Sequence, residues 1–178
     1  MRYISTRGQS APVTAAEALL TGLAPDGGLY LPERFPEEMA IAPLAEPNLT
    51  YQQLAQQILS LFLSDYTQTE LKECIHQAYG DNFATPAVTP VTMVSEKLGF
   101  LELWHGPTCA FKDLALQLLP HLLTVAAGKT RFDREIVLLV ATSGDTGKAA
   151  LEGFKDVPGT KVIVFYPEDG VSTVQKQQ

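Results

Sequence analysis

The sequence predicts an α/β protein: a small, mainly helical N-terminal domain followed by the start of a parallel-sheet domain. Three observations predict it. Before residue 80, three short helical stretches each open on the same capping chemistry. After residue 91, apolar segments with the look of buried strands alternate with helices. Between the two halves lies Thr85-Pro-Ala-Val-Thr-Pro-Val91, a connector stiffened by two prolines. The expected division is residues 1–84 and 85–178.

The helical half is justified element by element. Thr14 is followed by Glu17, Thr50 by Gln53 and Thr67 by Glu70. In each pair the threonine hydroxyl can cap an exposed helix N–H while the carboxylate or amide reaches back. The first helix, Thr14 to Leu23, carries Ala15, Ala18, Leu19 and Leu23 on one face, and the second, Tyr51 to Phe62, places Leu54, Ile58 and Leu61 in a stripe. The third is expected to end at Gly80. Between the first two, Pro25-Asp-Gly-Gly28 marks a turn before a short strand, Leu29 to Leu31. Pro32, Pro36, Pro43 and Pro47 then keep the chain irregular.

In the second half, a strand at Phe100–Trp104 leads to the loop His105–Ala110 and a helix from about Phe111 to Ala126, which Pro120 should kink. Strand Glu135–Ala141, loop Thr142–Asp145 and a helix to about Phe154 follow, then a strand at Lys161–Tyr166. Val171–Gln178 reads as the opening turn of another helix, with no cap or closing strand. Three strands do not complete a doubly wound domain, so the sheet domain is expected to be truncated at Gln178.

Composition narrows the function classes. The 46% hydrophobic and 19% charged content suits a soluble globular chain with a core. A net charge of −7, with no dense basic stretch, argues against nucleic acid. The only cysteines, Cys74 and Cys109, form no CxxC or Cys/His cluster, which excludes a disulfide framework or structural zinc; no metal is expected. Met1–Ser10 has no apolar signal core, and apolar runs such as Ile136–Ala141 are far shorter than the roughly 20 residues of a membrane span. No membrane partner is expected, and the cytoplasm is the default location.

Two polar loops follow strands, where parallel sheets place their sites. In His105-Gly-Pro-Thr-Cys-Ala-Phe-Lys-Asp113, Lys112 stands at the beginning of a helix, where a cation is disfavoured unless it is used. The same field, with burial beside Phe111 and Leu114, would favour a neutral amine able to attack an aldehyde. The competing reading is a solvated surface lysine with Asp113 as an incidental neighbour.

The second loop, Ala141-Thr-Ser-Gly-Asp-Thr-Gly147, could hold a carboxylate or phosphate through Ser143, Thr146 and helix-start N–H groups. The alternative is an ordinary helix start capped by Asp145 or Thr146. A nucleotide phosphate loop is ruled out, because Thr142 replaces its first glycine and Ala149 its magnesium-binding hydroxyl. For His105 and Cys109 no third residue completes a nucleophilic pair.

Taken together, Met1-Arg-Tyr-Ile-Ser-Thr-Arg-Gly8, Gly22-Leu-Ala-Pro-Asp-Gly-Gly-Leu-Tyr30, Leu103–Asp113, Ala141–Gly147 and Val171-Ser-Thr-Val-Gln-Lys176 resemble the N-terminal part of the threonine synthase family, in order and along almost the whole chain. The resemblance implies a fold-type II (tryptophan synthase beta-like) enzyme using pyridoxal 5'-phosphate (PLP). Its reaction turns O-phospho-L-homoserine and water into L-threonine and phosphate. It implies that Lys112 is catalytic and holds the cofactor as a Schiff base, that Asp113 helps order the cofactor pocket, and that Ser143, Gly144, Asp145 and Thr146 line the substrate's carboxylate end. Thr108 and His105 carry over more weakly. Trp104 and Cys109 stand where the family more often has Phe and Leu, and Lys148 where a small residue is common. The family's glycine-rich phosphate grip and its pyridine-nitrogen partner do not occur before Gln178. Hence residues 1–178 alone are expected to be inactive and to self-associate through the open surface. The alternatives are a related phospho-lyase, which eliminates phosphate without forming threonine, and a non-catalytic N-terminal piece.

Overall fold

In a computed structural model, residues 1–36, 49–142 and 144–177 are described. Pro43, Pro47 and Ser143 therefore lie outside the described residues. Contacts divide the chain into two compact units, residues 1–76 with 122–133 and residues 77–121 with 134–178.

In the first unit, strand β1 (Tyr3–Ser5) pairs antiparallel with β2 (Tyr30–Pro32), Ile4 opposite Leu31. Helix α1 (Ala15–Thr21) and helix α2 (Tyr51–Phe62) both start on complete capping boxes at Thr14 and Thr50. In front of helix α3 (Gln68–Ala78), the Thr67 hydroxyl accepts from the Glu70 N–H, and the Thr67 N–H donates to the Glu70 carboxylate at 2.7 Å. Each box satisfies helix-start N–H groups that would otherwise lack partners. The face expected for α1 is only partly right, since Ala15 is buried but Leu23 lies past the helix end and is exposed.

Leu71, Ile75, Leu122, Leu123 and Ala126 are buried in this unit. The Tyr66 hydroxyl donates to the Leu122 carbonyl at 3.0 Å, and Lys129 pairs with Glu70 at 2.8 Å. Burial pushes the Tyr66 hydroxyl well above its ordinary pKa, with the Asp65 charge adding to the shift. Burial likewise pushes the Cys74 thiol up to about 11, which keeps it an unreactive core filler.

The second unit departs from the expected strand plan. Strand β3 (Val91–Ser95) and strand β4 (Leu98–Leu101) form an antiparallel hairpin, so the strand foreseen at Phe100–Trp104 does not join the parallel sheet. Only the two residues Glu96 and Lys97 separate the strands, which makes local pairing easier than a crossover. The predicted 111–126 helix is also two pieces: helix α4 (Asp113–Leu116) and helix α5 (Leu119–Thr130). The break falls at Gln117–Leu118, before Pro120, which sits in the first turn of α5 where its missing N–H costs nothing.

The parallel pair forms as expected, with β5 (Ile136–Ala141) against β6 (Thr160–Phe165) and helix α6 (Asp145–Gly153) between them in sequence. Along each strand exposure alternates, and Leu139 and Phe165 are 69% and 59% exposed. The other face meets α6, where a Cβ on Gly147 would lie 2.8 Å from Val164. A last short helix, α7 (Thr173–Gln177), ends the described chain. Among the described residues no helix is long and apolar enough to cross a membrane.

Candidate functional site

The lysine loop is organised by Asp113. Its carboxylate is fully buried and accepts two hydrogen bonds from one residue, the Thr108 N–H at 2.9 Å and the Thr108 hydroxyl at 2.6 Å. Gly106 makes room for it, because a Cβ there would stand 2.6 Å from the Asp113 Cβ. The Asp113 N–H in turn donates to the Ala110 carbonyl. Reading Asp113 as an incidental neighbour is therefore wrong: it is the pin that closes 106–113 into one turn. Buried carboxylates persist only when such donors surround them.

Lys112 sits on this pinned turn in a right-handed helical conformation, immediately ahead of α4, and its carbonyl accepts the Leu116 N–H that begins the helix. Its side chain is half-buried, with the ammonium 4.6 Å from the Phe111 ring centre. Phe111 is itself 59% exposed, so the expected burial beside it is not what surrounds the amine. The aromatic face offers a cation–π contact while leaving the amine approachable.

His105 is held by Glu102 at 2.6 Å and stacks on Trp104, and the Thr92 hydroxyl donates to the same Glu102 carboxylate at 2.6 Å. The Thr92 bond first, and the His105 bond second, hold the Glu102 carboxyl below its ordinary pKa. Cys109 is exposed and in the left-handed backbone region, φ 56°. The tight turn before α4 imposes that conformation, which a non-glycine residue rarely adopts.

In the second loop, Gly144 caps α6 with φ 151° and donates its N–H to the Thr142 hydroxyl at 3.1 Å. Neither Asp145 nor Thr146 is the cap, because both already lie inside the helix. Asp145 is exposed and accepts from the Gln175 amide at 3.0 Å, while Thr146 is half-buried. Thr142, Gly144, Gly147, Lys148, Tyr166 and Gln175 are among the residues lining a cleft of about 230 Å³.

Sequence reasoning noted Lys148 only as a departure from the family pattern and gave it no role. Its ammonium donates to the Thr108 carbonyl at 3.0 Å and stands 3.6 Å from Asp145, with the side chain 10% exposed. It joins the glycine loop to the lysine loop. The available signal was a basic residue in the first turn of a helix, the feature that drew attention to Lys112.

Residues 2–79 match the family described as the threonine synthase N terminus. The chain is 41% identical, over its whole length, to the threonine synthase of Pseudomonas aeruginosa, and covers 38% of that protein. It is 42% identical to mouse threonine synthase-like 1 across 94% of this chain and 23% of the relative. The crystal structure of PLP-bound threonine synthase from Brucella melitensis superposes with a TM-score of 0.89 at 36% identity, covering 99% of this chain and 38% of that one. The chain thus spans less than two fifths of the length of the threonine synthases it matches.

Proposed function

We propose that this chain, which is similar from end to end to the N-terminal part of threonine synthases, supplies the lysine-bearing portion of a PLP-dependent carbon–oxygen lyase. In the whole protein the reaction converts O-phospho-L-homoserine and water into L-threonine and phosphate. In this reading residues 1–84 form the N-terminal domain and residues 85–178 begin the catalytic one. The observation that carries the proposal is the Lys112 turn, an approachable primary amine on a backbone pinned by a fully buried carboxylate.

The residues present suit the aldehyde end of the cofactor. Lys112 is the amine that would bind it covalently, and among the described residues it has no ion-pair partner to displace. When bound, PLP supplies an electron sink for charge developing on the substrate's carbons. The chain's own contributions are positional and protonic. Lys112 Nζ holds the cofactor and later carries protons at the substrate's carbons. Asp113 keeps Lys112 in register through Thr108. Gly144 and Thr146, with Ser143 between Thr142 and Gly144, present the start of α6 to the substrate's carboxylate, where helix N–H groups favour an anion. Asp145 borders that end.

A second reading, a threonine-synthase-like phospho-lyase that eliminates phosphate without forming threonine, would use the same amine and loop. Incubation of the whole protein with PLP, borohydride reduction and peptide mapping test the shared core. The expected outcome is labelling at Lys112. Labelling at Lys129 or Lys148, with Lys112 untouched, overturns the assignment. Measuring threonine against total phosphate released then separates the two readings.

A further inference from the structure

A lysine in the first turn of a helix works against the helix's own field, and burying nine tenths of its side chain adds a desolvation cost. Lys148 accepts both costs, and its ammonium donates to the Thr108 carbonyl at 3.0 Å. With that bond every polar group of Thr108 is engaged: the N–H and hydroxyl by Asp113, the carbonyl by Lys148. The far end of the same helix meets the same segment, because a Cβ on Gly153 would collide with the Leu116 carbonyl. Helix α6 therefore holds the Lys112 segment on both sides, by a charge-assisted bond before it and by backbone contact after it.

We propose that Lys148 is a positioning residue, which sets the Lys112 turn against the glycine loop through the Thr108 carbonyl; its relevance to turnover rests on the reading of Lys112 given above. The ammonium also stands beside Asp145, so one side chain spans the amine-bearing turn and the start of α6. A shift of either loop must stretch this link, which couples the two.

The test uses Lys148→Met, which keeps an apolar stem and removes the ammonium, and Lys148→Arg, which keeps a charged donor, both in the full chain. Amide hydrogen exchange is read at Thr108, Cys109 and Asp113, with the β5–β6 amides as the internal reference. Lys148→Met should speed exchange in the 108–113 turn about 10- to 100-fold and leave β5 and β6 unchanged. Lys148→Arg should restore most of the protection. With PLP and borohydride, the share of label reaching Lys112 should fall in Lys148→Met and recover in Lys148→Arg. Unchanged exchange in the turn overturns the positioning role, even if Lys112 is labelled in the parent chain. Equal acceleration across β5 and β6 also overturns it, since Lys148 would then be a general stabiliser. A parent chain unlabelled at Lys112 whose turn still loosens in Lys148→Met removes the cofactor reading and leaves the anchor standing.

Discussion

Two carboxylates each organise a loop in this molecule, and they do so under opposite conditions. Asp26 accepts from the Ser5 hydroxyl at 2.6 Å and from the Gln9 and Gly28 N–H groups at 2.9 Å, tying the first ten residues to the turn before β2. Asp113 accepts two bonds from Thr108 and ties the lysine turn to α4. Asp26 lies near solvent, whereas Asp113 is sealed from it. Water can reach the Asp26 carboxylate itself, although its Ser5 partner is as buried as Thr108, each 4% exposed, whereas none reaches Asp113. The same chemistry is therefore an adjustable clasp at the N-terminus and an obligatory pin beside Lys112.

The largest expected effect comes from removing the pin. Asp113→Ala strands a buried N–H and a buried hydroxyl on Thr108, each costing about 1–3 kcal/mol. Denaturant unfolding should show a loss of roughly 2–5 kcal/mol, with the 106–113 amides losing protection first. A loss no larger than that of Asp26→Ala would break the comparison.

Next comes Gly106→Ala, which forces a methyl against Asp113 without removing any hydrogen bond. Overpacking of this kind costs about 1–3 kcal/mol. Thermal unfolding of Gly106→Ala in the Asp113→Ala background sharpens the point. The two changes should be less than additive there, because the Asp113 Oδ2 and Cγ atoms that the new methyl meets are gone while the Cβ stays.

The smallest effect belongs to Asp26 and should depend on pH. The Ser5 hydroxyl above all, with the Gly28 and Gln9 N–H groups, lowers its pKa from 3.8 to about 2. A depressed folded-state pKa adds stability above the unfolded value and loses it as pH falls through the folded one. Parent and Asp26→Asn should therefore differ most above pH 3.8 and converge as pH approaches about 2. A difference that stays constant down to pH 2 would show that Asp26 acts by shape rather than charge.

Much of the local structure was readable from sequence because its partners are near neighbours. The capping boxes at Thr14, Thr50 and Thr67 join residues three apart, so the signature and the bond are the same piece of chain. Strands β5 and β6 were legible from their apolar runs, and the start of α6 from its glycine loop. The first strand of the second half was misjudged, since an apolar run cannot state its partner. Phe100 faces Thr92 in a hairpin, and that pairing is set by a short turn between two strands of similar length.

By itself the sequence determined the capped starts of α1, α2 and α3, the order of β5, α6 and β6, and the position of Lys112 ahead of a helix. Tertiary structure alone decided that Asp113 is buried and that Lys148 reaches Thr108. The reason is separation along the chain. Lys148 and Thr108 lie forty residues apart, and no periodicity or propensity links them until β5 and α6 have folded. Local hydrogen bonds can be read from spacing, but a buried charge finds its partner only once the backbone has brought the two together.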